Sequence, residues 1–235
     1  AIEKKILLPH GENFTSFGSM KTFTSYLSEG ISIHKEAEII RVKQNCSSIE
    51  LLLKNGSKIQ VNDAFLILAI PQPQVLHLLK DDFSELHDLV LPVNMYATIS
   101  GLFAFENPIL LNQSLIENDY IIGYHENSRI GQNLKRDCWT IHSQKSYGKK
   151  LSHLSKYEIK KLLFDDFKTL VSTNLPEPIY SDGHRWLFGL TETPLNKDYI
   201  FNQPNKIGIC GDWCRGDNVL DASISGNMLA NRILS

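Results

Sequence analysis

Apolar and polar positions along this chain fall into two rhythms. From Ser19 to Leu27 the rhythm is helical: Met20, Phe23 and Leu27 recur at spacings of three and four, and Gly30 stands where a helix would stop. A strand is expected at Ile31–His34. Glu38–Lys43 then alternates polar with apolar residues. Ile49–Leu53 and Lys58–Val61 flank Asn55-Gly56, a two-residue hairpin signal. Ala64–Ile70 is apolar throughout, which suits a central strand covered on both sides. Pro71 and Pro73 stop it, and Val75–Leu79 begins a short helix. The order is helix, strand, meander, buried strand, turn, with the meander hanging off a sheet.

From Phe83 onward the character shifts. Strands are expected at Ala97–Phe105, Tyr120–Tyr124 and Cys138–His142, separated by polar loops. Ser155-Lys156-Tyr157-Glu158 is a capping-box pattern. It opens a helix with Ile159, Leu162, Leu163, Phe167, Leu170 and Val171 on one face. Pro176 and Pro178 end that helix, and Ile179–Phe188 returns as a strand. Strands with a helix laid over them suggest an α+β domain. The tail closes with a buried strand, Ile207–Cys210, a Gly211-Asp212 turn, and an apolar helix whose start is rich in small residues. No internal repeat is visible.

The chain has 235 residues, enough for one large domain or two modest ones, which would bury roughly 70% of the unfolded surface. Hydrophobic residues make up 42% and charged residues 21%, which argues against disorder. The net charge of −2 provides no global field for nucleic acid or anionic membrane. Lys149, Lys150, Lys156, Lys160 and Lys161 read as the solvated side of a helix, because they lack the clustered arginines and interleaved aromatics of a nucleic-acid surface. Seven apolar residues at 64–70 fall far short of the about 20 needed to span a bilayer, and Pro9 and His10 interrupt any signal-peptide core. Cys46, Cys138, Cys210 and Cys214 show no zinc-ligand spacing, so free thiols and a cytoplasmic setting are expected, with no metal.

The candidate chemistry concentrates in the tail. Gly211 permits a backbone conformation that other residues resist, and Asp212 sits at a strand's carboxyl end, where α/β sheets bind ligands. A carboxylate there accepts hydrogen bonds from ribose or ribityl hydroxyls, or else caps a turn. Ala222, Ser225 and Gly226 let a helix start meet a planar ring, or simply pack helix on sheet. Alternation places His184 and Trp186 on one strand face, as one wall of an aromatic pocket or as a core Trp with its N–H satisfied. No Gly-x-Ser-x-Gly elbow, His-Glu-x-x-His or phosphate loop occurs, so covalent hydrolysis and nucleoside-triphosphate chemistry have no support.

Together these segments resemble the bacterial renalase-like FAD-dependent oxidoreductases, relatives of the flavin amine oxidases. Gly18-Ser19-Met20 resembles the family's Gly-x-x-Met segment, and Ile39 and Val42 the strand that passes the adenine. Asn55-Gly56 through Asp63, with Ala69-Ile70-Pro71-Gln72-Pro73-Gln74, resembles a further stretch. Asn127-Ser128-Arg129 and Trp139–Ser143 match weaker substrate-domain signatures. His184-Arg185-Trp186 and Gly211-Asp212-Trp213-Cys214 are the specific ones. The resemblance implies an α/β fold: the remainder of an FAD/NAD(P)-binding three-layer domain at 16–79 and 204–235, and an α+β substrate domain with an antiparallel sheet at 80–203. It implies FAD as cofactor, with Ile39, Ala69, Pro71, Gly211, Asp212, Asp221 and Ala222 on its binding side. His184 and Trp186 then line the substrate pocket, and a small reduced molecule, nicotinamide-type or amine, gives a hydride to the flavin.

Two departures temper this. The family's Glu-Gly-Ala before the last helix appears as Leu220-Asp221-Ala222, placing a carboxylate near the flavin's pyrimidine edge. No Gly-x-Gly-x-x-Gly occurs, and the first βαβ unit of the FAD domain is absent. Diphosphate contacts of that turn contribute roughly 1.5–3 kcal/mol each, so this polypeptide alone is expected to hold FAD weakly or not at all. An exposed sheet edge would then invite self-association or a partner chain. The alternative is a truncated, non-catalytic relative acting as a binding subunit, or a fragment unable to hold FAD alone.

Overall fold

Two sets of apolar side chains close into separate cores, and the chain divides into two compact units: Ala1–Ile33 with Ala97–Leu187, and His34–Tyr96 with Phe188–Ser235. The computed structural model describes residues 7–10, 13–16, 20–45, 48–111, 113–128, 134–171 and 175–235. The elements in chain order are β1 (Leu7–His10), β2 (Asn13–Ser16), α1 (Met20–Leu27), β3 (Ile39–Gln44), β4 (Ile49–Leu53), β5 (Lys58–Val61), β6 (Leu66–Leu68), α2 (Gln72–Leu79), α3 (Ser84–Val90) and β7 (Asn94–Phe105). There follow β8 (Leu115–Glu117), β9 (Ile121–His125), β10 (Asp137–Ser143), α4 (Lys145–Leu151), α5 (Lys156–Val171), β11 (Tyr180–Thr193), β12 (Ile200–Asn202), β13 (Ile207–Ile209) and α6 (Val219–Leu234). The unit boundaries fall inside β7 and β11.

The unit built from 34–96 and 188–235 has three layers. Its central sheet has the order β12-β13-β6, with β13 parallel to β6 and antiparallel to β12. Because side chains alternate along a strand, Gly208 of β13 faces α6 while Ile207 and Ile209 face the other way. A Cβ on Gly208 would stand 2.9 Å from a Leu229 methyl, so glycine here lets α6 lie close to the sheet. On the opposite side Ile207, Ile209 and Leu68 join Val42 and Leu51 of the β3-β4-β5 meander and Val75 and Leu79 of α2 in one core. Gln72, 3% exposed, donates its side-chain N–H to the Val90 carbonyl (3.1 Å) and ties α2 to the end of α3.

The other unit centres on a five-stranded sheet of order β11-β7-β10-β9-β8, with β10 antiparallel to both β7 and β9. Helix α5 covers one face. The capping box closes reciprocally: the Ser155 N–H donates to the Glu158 carboxylate (2.8 Å), and the Glu158 N–H donates to Ser155 Oγ (3.3 Å). Ile99, Phe103 and Phe105 of β7 and Trp139 and Ile141 of β10 then bury against Ile159, Leu163, Phe164 and Phe167. Phe164, absent from the sequence-derived face, packs on Phe103 with ring centroids 5.3 Å apart.

The structure corrects several expectations. Residues 31–34 form no strand; Ile31 and Ile33 are exposed, and among the described residues no strand pairs with them. The run 64–70 yields a strand only at Leu66–Leu68, and β6 is an edge strand: among the described residues it pairs with β13 alone, and Phe65 and Ile67 are 42% and 40% exposed. The β4–β5 connection is also longer than two residues. Leu53 N–H donates to the Ser57 carbonyl (2.9 Å), and Gly56 alone takes a left-handed φ of 85° while Asn55 does not. That is a three-residue loop with glycine in the left-handed position, not a type I′ turn. The basic stretch at 149–161 divides between α4 and α5 rather than lining one helix. Cys46, Gly18, Ser19 and Arg129 lie outside the described residues.

Candidate functional site

The parallel pairing of β6 with β13 decides what comes together. The register is Leu66↔Ile207, Ile67↔Gly208 and Leu68↔Ile209, so the chain leaves both strands at the same end. Ala69, Ile70 and Pro71 follow one strand; Cys210, Gly211 and a 3-10 turn at Asp212–Cys214 follow the other. Three hydrogen bonds fix this end. Cys210 N–H donates to the Leu68 carbonyl (3.2 Å), the Trp213 indole N–H to the Ile70 carbonyl (3.0 Å), and Gly211 N–H to Ser225 Oγ of α6 (3.1 Å). A Cβ on Gly211 would stand 2.7 Å from the Trp213 Nε1, while its φ of 163° is ordinary extended backbone. The need for glycine therefore comes from the chain's own indole, not from backbone strain. From the 194–198 loop, the Leu195 and Lys197 N–H groups donate to the Trp213 and Cys214 carbonyls (3.0 Å each) and hold the 3-10 turn from outside.

Asp212 is half-buried at this end, and its Oδ1 accepts from the Trp213 N–H (2.9 Å). Burial pushes its carboxyl above the usual carboxylate range, opposed by the backbone N–H groups it accepts from, with the negative charges of Asp217 and Asp221 adding to the upward shift. Asp221 sits in the first turn of α6. Its N–H donates to the Asn218 side-chain oxygen (3.0 Å), and its Oδ2 accepts from the Asn218 amide (2.6 Å). Arg215 lies between Asp221 and Asp198 and pairs with Asp198. Ala222 is exposed, and a Cβ on Gly226 would meet nothing within 4 Å; the small residue that packs is Ser225, fully buried. The Cys214 thiol is pushed up to about 11, chiefly by burial, and Cys210 also upward for the same reason.

Four neighbouring carboxylates, Asp198, Asp212, Asp217 and Asp221, balanced by Arg215 alone, repel a phosphate and suit a hydroxyl-rich ligand, because a carboxylate accepts from O–H but cannot donate to an oxyanion. The β13–α6 connection therefore suits the hydroxyl groups of a ligand rather than a diphosphate.

Ile39 lies elsewhere in the same unit, in an apolar cleft of about 580 Å³ with Val42, Leu51, Pro73 and His77. Leu66 and Leu68 from one face of β6 and Ile67 from the other also line it. A single cleft reaches both faces of a strand only by running along that strand's unpaired edge. Ala69 and Pro71 are not among the cleft's lining residues.

His184 and Trp186 belong to the five-stranded unit. They do share a face: their ring centroids are 4.2 Å apart, and Trp186 is half exposed. The indole N–H donates to Ser100 Oγ (3.1 Å), and that oxygen lies 2.7 Å from His142 Nδ1. Asn127 closes the turn after β9, its side chain accepting from Cys138 N–H (2.8 Å) and donating to the Arg136 carbonyl (2.7 Å). Ser100 and Arg215 escaped the sequence reading because a lone Ser or Arg carries no periodic or motif signal until a fold supplies its partner. No helix among the described residues is long and apolar enough to cross a membrane, and no cluster of three His, Cys, Asp or Glu among them would hold a metal ion.

A three-layer unit with a parallel β6–β13 pair, joined to a unit with an antiparallel sheet covered by one helix, is a fold that this chain shares with part of several solved oxidase structures. Solved structures similar to the chain include a protein assigned as a protoporphyrinogen oxidase from Exiguobacterium sp. 255-15, with TM-score 0.74 and 14% identity over 97% of this chain and 53% of that one. Cyclohexylamine oxidase from Brevibacterium oxydans IH-35A aligns with TM-score 0.69 and 12% identity over 95% of this chain and 54% of its own. A putrescine oxidase redesigned in its cofactor binding aligns with TM-score 0.66 and 12% identity, over 94% and 54%. The chain spans about half the length of these structures. No family model matches it.

Proposed function

We propose that this chain is part of an FAD-dependent oxidoreductase of the renalase/amine-oxidase type. A small reduced substrate, nicotinamide-type or amine, would give up a hydride, and the flavin would supply the accepting chemistry. The observation that carries the reading is Asp212, a half-buried carboxylate held at the carboxyl end of a parallel strand pair beside the start of α6. Asp212 would accept a hydrogen bond from a cofactor hydroxyl, and Asp221, tied to Asn218 and Arg215, would keep that helix start in place. Trp186 and His184 would contact the substrate. The free edge of β6 and its apolar cleft support a further polypeptide strand as partner, and free thiols at Cys138, Cys210 and Cys214 suit a cytoplasmic setting.

The test uses the full gene product that contains this chain. The expected result is a flavin absorption spectrum that bleaches anaerobically with an amine or a reduced nicotinamide, and an Asp212→Ala variant that retains less flavin. A preparation that stays colourless after added FAD overturns the reading and favours a non-catalytic binding subunit. Residues 1–235 alone are expected to bind FAD at least hundreds of times more weakly than the full product, on the order of the loss of several charge-assisted bonds.

A further inference from the structure

On the sheet face opposite α5, one polar chain links three strands. The Trp186 indole of β11 donates to Ser100 Oγ of β7, and Ser100 stands directly across from His142 of β10 in the antiparallel register. Ser100 is 3% exposed. A hydroxyl has one proton and two lone pairs. With one lone pair taking the indole N–H, the hydroxyl proton can go to His142 Nδ1, 2.7 Å away, which satisfies both groups. That arrangement requires an unprotonated Nδ1, which is the neutral imidazole carrying its proton on Nε2.

We propose that Ser100 and His142 are positioning residues: neutral His142, acting through Ser100, holds the Trp186 indole in place on this face. For catalysis, this rests on the reading of Trp186 as a substrate contact; the relay itself does not. Protonating His142 turns Nδ1 into a donor. The Ser100 oxygen then faces two N–H groups, its own proton loses its acceptor in a site shut from water, and the indole bond is the one free to yield, because Trp186 is half exposed. Burial holds the His142 imidazole below its ordinary range, with Glu126 pulling weakly the other way. The groups around the chain are Tyr124 of β9, whose ring lies edge-on to His142 at 5.9 Å, Glu126 in the turn after β9, and His184 of β11 against the indole.

The chain contains three tryptophans, and Trp139 and Trp213 are each 1% exposed, so acrylamide quenching of intrinsic fluorescence reports Trp186. The expected result is a step in quenching and a red shift as pH falls through the His142 titration. His142→Gln, which retains an acceptor without a titrating group, abolishes the step. Ser100→Ala gives the low-pH behaviour at all pH values, and Ser100→Thr restores the wild-type profile; thermal melts check that each variant is folded. A step that persists in His142→Gln, a step that disappears in His184→Gln, or a folded Ser100→Ala with wild-type quenching overturns the proposal. The readout needs neither flavin nor substrate, so its failure is separate from failure of the flavin reading.

Discussion

Replacing Gly211 with alanine tests how the carboxyl ends of β6 and β13 are held together. The new Cβ would stand 2.7 Å from Trp213 Nε1 and 3.0 Å from its Cδ1, so the indole must move. That indole is 1% exposed and donates to the Ile70 carbonyl at 3.0 Å. Overpacking costs about 1–3 kcal/mol, and leaving the Ile70 carbonyl unpaired costs about 1–3 kcal/mol more. The extended backbone at Gly211 is open to alanine, so reduced freedom in the unfolded chain returns about 0.4–1 kcal/mol. The net expectation is about 1–5 kcal/mol of destabilisation. For a chain of this size that lowers Tm by roughly 2–4 °C per kcal/mol, measured by circular dichroism during heating and by urea titration. Trp213→Phe removes the N–H and the atoms the Cβ meets, so the double variant should be less destabilised than the two singles summed, by about 1 kcal/mol or more. Additive single and double variants, or a harmless Gly211→Ala, would refute the argument that this glycine serves the indole.

Gly183→Ala should destabilise by at least about 1–3 kcal/mol in thermal melts, because a Cβ there collides with the Lys156 carbonyl at the start of α5 and the backbone cannot swing away as a side chain would. Phe167→Ala, removing a ring with no exposure that contacts Phe103, Phe105 and Trp139, should cost about 3–5 kcal/mol in urea unfolding. Asp212 has its pKa raised in the folded state, so protonated Asp212 favours folding below its unfolded pKa, and that contribution is lost as pH rises through the folded pKa. Asp212→Asn should therefore melt higher than wild type near neutral pH, with the gap closing in acid; a gap that widens in acid contradicts the sign. Ile67→Lys, on the free edge of β6, should shift any self-associated species toward monomer in light scattering, and unchanged association would locate the contact elsewhere.

Local chemistry was enough for the elements whose signals are short-range. Ser155 and Glu158 announced the start of α5 because their hydrogen bonds close within one turn. The β4 and β5 bounds matched because alternation and a glycine turn are properties of adjacent residues. His184 and Trp186 share a face because a strand repeats every two residues, whatever surrounds it. The tail's strand, turn and helix were legible for the same reason.

Long-range pairing lay beyond that reach. Periodicity cannot tell a central strand from an edge strand, because both can be apolar; among the described residues β6 is an edge through what pairs beside it, and Ile31 and Ile33 lie outside any sheet. Gly211 is expected from the sequence to supply a backbone conformation that other residues resist, but its backbone is extended and it is the Trp213 indole that leaves no room for a Cβ. Small residues in α6 looked equivalent until Ser225 alone turned inward. Ser100 acquired meaning only when antiparallel register set His142 across from it and β11 brought an indole N–H within reach. The sequence by itself determined the elements whose signals close within a few residues; the tertiary structure decided which strands pair and which side chains meet, because hydrogen-bond partners and burial are supplied by residues tens of positions away.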